Sequence, residues 1–397
     1  MWREGERFRY GIGKWESLAS LKPFTGERMM KMTNDSRMQG LLPLLVLSTG
    51  LCFVSPAFAQ LQRLYILDLK RNQLITLMPS EMTGNATGIN NAGQVAWYTI
   101  KEYGHAFITG PDGVGRTDLK TLGGDSSATF GINDAGQVVG CSQTATGNLH
   151  AFITGPNGVG MTDLGTMGEH ASYATSINNA GQVAGYTVKE YGHAFITGPN
   201  GAGMTHLESL PDGLATVAHD INDAGQVVGR GVRHAFITGP NGVGMTDLGT
   251  LGGDYSVAYG INDAGQVAGG SSTAAGYTHA FITGPNGVGM MDLGTLGGGY
   301  SIATDINDAG QVVGWSTMAA GDNHAFITGP NGIGMMDLNS LAWLPPGYVI
   351  TGAISINDRG QVVVIADLPK PEAYMLIFAG LGLVGFLVWW QKSGSRA

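Results

Sequence analysis

The sequence predicts an all-β protein, a β-propeller with seven blades favoured, and three observations carry that expectation. The string His-Ala-Phe-Ile-Thr-Gly-Pro occurs six times, starting at His105, His150, His193, His234, His279 and His324, so successive histidines lie 41 to 45 residues apart. A period of that length belongs to repeat architectures, in which each unit buries against its neighbours what it cannot bury alone. A second element, Ile-Asn-x-x-Gly-Gln-Val, precedes each string and recurs from Ile89 to Ile356. Third, the chain has 65 glycines in 397 residues and only 13% charged residues, a turn-rich composition apolar enough to pack.

The chain begins with a leader, 1–28, that is polar and Arg-rich and does not fit the short basic start of a signal, so Met29, Met30, Met32 and Met38 compete as initiators. Residues 29–59 read as a signal peptide. Lys31 and Arg37 precede an apolar run from Leu41 to Val54, and Ala57-Phe58-Ala59 places small residues where signal peptidase requires them, leaving Gln60 first. A buried helix or a retained anchor is the bland alternative. Removal of Cys52 with this segment leaves Cys141 alone, so no intrachain disulfide framework is expected.

Residues 60–366 form the repeat domain. In the fifth unit, strand-sized pieces run from Val257 to Asn262, Gln266 to Ser271, His279 to Thr283 and Met290 to Leu293, separated by Gly, Asn and Asp turn signals. Phe281 faces one side of its strand while Ala280 and Ile282 face the other, so such strands want neighbours on both faces. Seven Ile-Asn, seven Gly-Gln-Val, seven Asp-Leu (with Asp68-Leu69 and the variant His206-Leu207) and six His-Ala-Phe strands give 27, one short of seven four-stranded blades. Ring closure follows if the leading Tyr65 to Leu69 strand or the final Gln361 to Ala366 strand completes a sheet begun at the other end. Trp97 and Val364 replace the glycine found at Gly140, Gly185, Gly229, Gly269 and Gly314, as expected of units at a seam.

After a linker, 367–373, the uncharged apolar stretch 374–390 is long enough to cross a membrane as a helix, and the tail 391–397 carries Lys392 and Arg396 on the expected cytoplasmic side. Leu368-Pro369-Lys370-Pro371-Glu372-Ala373-Tyr374 followed by the glycine-rich apolar span resembles the PEP-CTERM sorting signal of Gram-negative bacteria, with Pro371, Glu372 and Ala373 as its motif. The repeats resemble the HAF-repeat family of probable extracellular proteins, and together the two resemblances cover nearly everything from Tyr65 to Ala397. The resemblance implies reading by an exosortase-like enzyme after signal peptidase, transient anchoring in the inner membrane, and display or release at the cell surface beside exopolysaccharide. Ala373 stands where the family has a second proline, and Trp389-Trp390-Gln391-Lys392 replaces its arginine cluster.

The candidate chemical sites are few. Net charge is −9 without clustered Lys or Arg, which excludes a nucleic-acid partner. Six histidines in six units are too far apart around a propeller to share a metal, and each is read as bonded to a neighbouring strand or turn. Asn133-Asp134, Asn222-Asp223, Asn262-Asp263, Asn307-Asp308 and Asn357-Asp358 lack the alternating ligands of a calcium loop and are read as turns bonding themselves. Gly-Pro-Asn-Gly has no Lys-Ser or Lys-Thr for a phosphate cradle, and Ser126, Ser256 and Ser301 repeat with the scaffold. No catalytic residue, metal or cofactor is nominated.

Variation points elsewhere. After the strand glycine the units carry Tyr98, Tyr186, Arg230 and Trp315, side chains suited to stacking on sugars or donating to carboxylates, and these are the candidate ligand-binding residues. The expected role is an exported binding or structural component of the exopolysaccharide matrix, without enzymatic activity. The alternative is an extracellular enzyme acting on polysaccharide, for which acidic groups such as Asp125, Asp212 or Asp254 would have to converge in one cleft.

Overall fold

Turn chemistry cuts each repeat into four strands. In the fifth unit the strands are Gly252–Ile261, Val267–Thr273, Thr278–Thr283 and Met290–Gly294, hydrogen-bonded in that order. The first cut is Asn262-Asp263-Ala264-Gly265, where Gly265 takes a φ of 71° and its N–H donates to the Asn262 carbonyl at 2.9 Å. Only glycine adopts that conformation without strain. Pro285-Asn286-Gly287 makes the last cut, with Asn286 at φ 55°.

The computed structural model describes residues 62–367 apart from 79–82, 101–103, 212 and 214. They form a seven-bladed β-propeller of seven four-stranded sheets. We count blades from the sheet that starts at Gly84. The innermost strands are Gly84–Ile89, Gly123–Ile132, Ala171–Ile177, Val217–Ile221, Gly252–Ile261, Gly297–Ile306 and Val349–Ile356. Six blades are single repeats. The seventh joins the two ends of the described chain: Val349–Ile356 and Gln361–Asp367 form its inner half, and Gln62–Asp68 and Gln73–Thr76 its outer half. Gln62 pairs with Asp367 and Asp68 with Gln361.

Two strand assignments change at this seam. Gln73–Thr76, not counted from sequence, is the twenty-eighth strand. Asp68-Leu69 is not an outer Asp-Leu strand: Asp68 ends the third strand, where its Oδ1 accepts the Arg71 N–H at 2.9 Å and so shapes its own hairpin.

The core lies between blades. Val228, Ala235 and Ile237 of the fourth blade pack against Ala258, Ile261, Val267 and Phe281 of the fifth. On the other face, Ala268, Ala280 and Ile282 of the fifth meet Ala303, Ile306, Val312 and Phe326 of the sixth. The alternation read from His-Ala-Phe-Ile-Thr is thus the packing rule, and each fully buried phenylalanine contributes about 1.5–3 kcal/mol. Gly269 sits opposite Phe281, and a Cβ there would fall 2.0 Å from the Val257 carbonyl oxygen and 3.0 Å from the Phe281 ring. In the first blade Trp97 takes this place and stacks on Phe107 at 4.5 Å.

The leader, the signal segment with Ala57, Ala59 and Gln60, the sorting motif Pro371, Glu372 and Ala373, the span 374–390 and the tail lie outside the described residues. Among the described residues no helix is long and apolar enough to cross a membrane.

Candidate active site

Most of the polar residues that the repeat reiterates are consumed in holding blades together. The asparagine of each Ile-Asn donates Nδ2 to the carbonyl of the equivalent asparagine in the next blade, from Asn90 to Asn133 at 2.9 Å and around to Asn357, which returns to Asn90 at 2.8 Å. The following residue makes a second ring: the Asn91 N–H donates to Asp134 Oδ1, that of Asp134 to Asn179 Oδ1, and that of Asp358 closes on Asn91 Oδ1, at 2.8–3.0 Å. The turn reading therefore holds for the asparagines, as Asn262 Oδ1 also accepts the Gln266 N–H of its own turn. The aspartates instead reach across blades, as Asp263 Oδ1 does to the Asp223 N–H.

Inside these rings, on the axis, lies a cavity of about 450 Å³ walled by the ends of the inner strands. The residue before each Ile-Asn decides its chemistry. It is Gly88, Gly131 or Gly260 in three blades, Ser176 or Ser355 in two, and Asp220 or Asp305 in the remaining two. Asp305 fits beside the space left by Gly260, where a Cβ would lie 3.3 Å from its Oδ1, and Asp220 reaches across to the backbone of the same blade. Asp220 Oδ1 accepts the Ser176 hydroxyl at 2.6 Å and the Ile221 N–H at 2.9 Å, and its Oδ2 the Ile261 N–H at 2.9 Å. Asp305 repeats the pattern with the Ser355 hydroxyl at 2.6 Å and the Ile356 and Ile306 N–H groups.

Burial, with repulsion from Asp305 second, pushes the Asp220 carboxyl up to about 7 despite those donors. Burial likewise pushes Asp305 up to about 6, against the donors from Ser355, Ile356 and Ile306. His219, next to Asp220, donates from Nδ1 to the Ala258 carbonyl at 2.7 Å and stacks on Tyr259 at 5.3 Å. Burial lowers its pKa to about 4, so the ring is neutral and Nε2 is the acceptor. The cavity therefore holds two carboxyls that titrate near neutrality, the property needed of a general acid and a general base.

The groups that the sequence offered as candidates lie elsewhere. His150, His234 and His279 each bond Asp163, Asp247 and Asp292 through Nδ1 at 2.8 Å, and His105 and His324 do the same with Asp118 and Asp337. His193 meets His206 instead, ring to ring at 5.5 Å. Each pair stays within its own blade, and among the described residues no three His, Cys, Asp or Glu side chains come close enough to hold a metal ion. Ser256 and Ser301 accept the N–H of Ala235 and Ala280 in the preceding blade; Ser127, not Ser126, is their equivalent in the second blade.

Tyr98, Tyr186, Arg230 and Trp315 occupy second strands of four blades, half-buried, on the side that faces the next blade. The same position in the fifth blade is Gly270, whose Cβ would lie 2.7 Å from Ile302 of the sixth. Tyr186 stacks on Tyr173 at 5.0 Å, and the Tyr98 hydroxyl accepts from Asn85 at 3.0 Å. Arg230 influences Tyr186 electrostatically, but the four do not line the axial cavity. Asp125 and Asp254 are exposed at the starts of inner strands in different blades, and Asp212 lies outside the described residues. The carboxyls that converge are Asp220 and Asp305. Their sequence signal was an acid in place of Gly or Ser just before a reiterated Ile-Asn.

No family model and no curated protein matches the sequence. Solved structures do match in fold. A prolyl endopeptidase structure gives a TM-score of 0.51 at 11% identity over 74% of this chain and 49% of that one, so the chain spans about half that enzyme's length. Oligogalacturonate lyase from Vibrio parahaemolyticus gives 0.49 at 11% identity over 74% and 93% of the two chains. A protein described as TolB from Agrobacterium tumefaciens gives 0.47 at 10% identity over 79% and 100%. The expected role as a non-enzymatic binding or structural component of the matrix is corrected at this point. The prolyl endopeptidase match shares the propeller fold with an enzyme, and two acidic side chains, Asp220 and Asp305, line one axial cavity.

Proposed function

We propose that this chain is an exported enzyme that acts on polysaccharide, with the axial cavity as its active site. The observation that carries the reading is the pair Asp220 and Asp305, two carboxyls held by serines of neighbouring blades in one cavity and raised to about 7 and about 6. In this reading Asp220, the more strongly raised of the two, is the acid and Asp305 the base. Hydrolysis of a glycosidic bond needs that division: the acid gives its proton to the leaving oxygen while the base takes one from the attacking water. The cavity is within the size range of small-molecule sites, about 300–1,000 Å³, and suits a chain end rather than a chain interior. Export through signal peptidase, anchoring by 374–390 and exosortase-like processing at Pro371, Glu372 and Ala373 complete the proposal, on the sequence patterns alone.

The test is release of reducing ends from a panel of neutral, acidic and amino polysaccharides by the purified chain. Activity is expected to follow a narrow bell in pH with limbs near 6 and 7, and Asp220→Asn or Asp305→Asn to lower it about 100-fold or more with the fold intact by circular dichroism. A folded protein that cleaves none of them, or a double variant that keeps the parental rate, overturns the reading.

A further inference from the structure

We infer that the axial cavity takes a cationic sugar unit, the end of an oligosaccharide of amino sugars bearing free ammonium groups. This rests on the enzymatic reading of the same cavity and adds its substrate class. The mouth carries five carboxyls in the second asparagine–aspartate ring, with Asp220 and Asp305 below them, and no Lys or Arg lines the wall. The one histidine in the lining adds no charge to offset them: burial keeps its ring neutral, and with Nδ1–H given to the Ala258 carbonyl, Nε2 is left as a further acceptor, one with no protein donor among the described residues. Every ionisable group facing the cavity is thus an acid or an acceptor. Asp263 lies between Asp223 and Asp308 in the ring, and burial foremost, with the repulsion of Asp223, Asp308 and Asp358, raises its pKa; the nearest cations, Arg359 on the Asn91 carbonyl and Arg230 beyond His219 and Tyr259, lie outside the lining, so acids outnumber them at the mouth.

An anionic sugar entering this mouth meets like charge in a partly desolvated space, whereas an ammonium group meets carboxylates from several blades at once. The rest of the wall suits a sugar rather than a bare cation. Thr87, Thr175, Thr304 and the two serines supply hydroxyls, and the stacked Tyr259 and His219 rings supply a flat apolar face of the kind on which a pyranose packs.

The experiment is calorimetric titration of the full chain at pH 6 with a glucosamine tetramer, its fully N-acetylated counterpart, a galacturonic acid tetramer and tetralysine. The glucosamine tetramer is expected to bind at least tenfold more tightly than the acetylated one, with affinity falling about tenfold between 50 and 500 mM salt. The double variant Asp223→Asn, Asp308→Asn should abolish the preference while remaining folded, because Asn91 and Asn179 already occupy equivalent ring positions with the same Oδ1 acceptor. Equal binding of the acetylated or the galacturonic tetramer overturns the inference, as does tetralysine binding as tightly as the amino sugar. Tight binding of the glucosamine tetramer without bond cleavage would instead overturn the enzymatic reading and leave the ligand class standing. Cleavage without charge preference would do the reverse.

Discussion

Where two repeats meet, the blades are stapled by neutral amides; where the seventh blade meets the first, the same positions carry charges. Between the fourth and fifth blades Gln226 Nε2 donates to Asn286 Oδ1 at 3.2 Å, and Gln94, Gln182 and Gln266 make the same bond to Asn157, Asn241 and Asn331. At the seam the partner of Gln361 is Asp112, and Arg359, standing where other turns have alanine, adds a bond to Asp112 at 3.0 Å and one to the Asn91 carbonyl at 3.2 Å. Arg71 lies within 4.0 Å of Asp112 and 3.7 Å of Asp68. The cores differ in parallel, glycine under phenylalanine in the repeats and Trp97 against Phe107 at the seam. A repeat unit meets a copy of itself and can use weak complementary groups many times over. The two ends of the propeller segment meet only once, and bulk and charge replace multiplicity.

The strongest way to break the comparison is to delete Gln62–Thr76, which strips the seventh blade of two strands, removes Tyr65 and Leu67 from their cluster and exposes Val313, Ile327 and Val362. Loss of the cooperative thermal transition is expected, with aggregation on size exclusion; a soluble, cooperatively melting product would mean that closure is dispensable.

Next in size are exchanges across the two cores. Gly269→Ala forces a Cβ onto a backbone oxygen and should cost about 3 kcal/mol or more, while Trp97→Gly empties a buried site and should cost about 3–5 kcal/mol, both by denaturant melts. Either variant within about 0.5 kcal/mol of the parent would show that the two packing solutions are interchangeable.

Axis and seam also separate by pH. Asp220 and Asp305 have folded pKa values above the usual carboxylate value of 3.8, so the folded state holds protons that the unfolded state has lost, and their contribution is fully present below about 4 and lost as pH rises through 6 to 7. Stability should fall by several kcal/mol between pH 4.5 and 8, and Asp220→Asn should flatten that slope. Asp112 has the opposite sign: the Gln361 bond foremost, aided by Arg359 and Arg71, holds it below its ordinary value, so the seam loses its contribution only as pH drops below the carboxylate range. A stability profile rising from pH 4.5 to 8 would refute the assignment for the axis.

The smallest effect is ionic. Asp112→Asn should cost about 1 kcal/mol or less at low salt and approach zero in 0.5 M salt, because the group is 40% exposed, whereas Asn286→Ala should cost a similar amount that salt does not change. Identical salt responses would erase the distinction between the two kinds of interface.

Fold and period were legible because hydrophobic alternation and turn residues act locally: Gly265 and Asn286 mark their turns, and Phe281 and Ile282 reveal two buried faces without knowledge of their partners. The seam was harder. Gln73–Thr76 carries no repeat signature, because its pairing with Gln62–Asp68 is set by closure rather than by pattern. The cavity was hardest, since Asp220 and Asp305 are two blades apart and only radial symmetry brings them to one axis. Reiterated histidines and Asn-Asp pairs drew attention by frequency, yet frequency here marks scaffold. The departures from repetition, an acid for a glycine or serine, mark the candidate site.

Both rings of asparagine and aspartate bonds run in one sense, each blade donating to the next until the seventh donates to the first. Such a circuit has no first or last member, so every interface in it carries the same bonds and none is left open. An open stack of repeats tolerates the duplication or loss of a unit at its end. A closed one must re-angle every interface to admit an eighth unit or to lose one, and the register between Gln62 and Asp367 would have no partner until it did. Gain or loss of a single repeat would therefore be penalised at the level of folding, whatever the chain does.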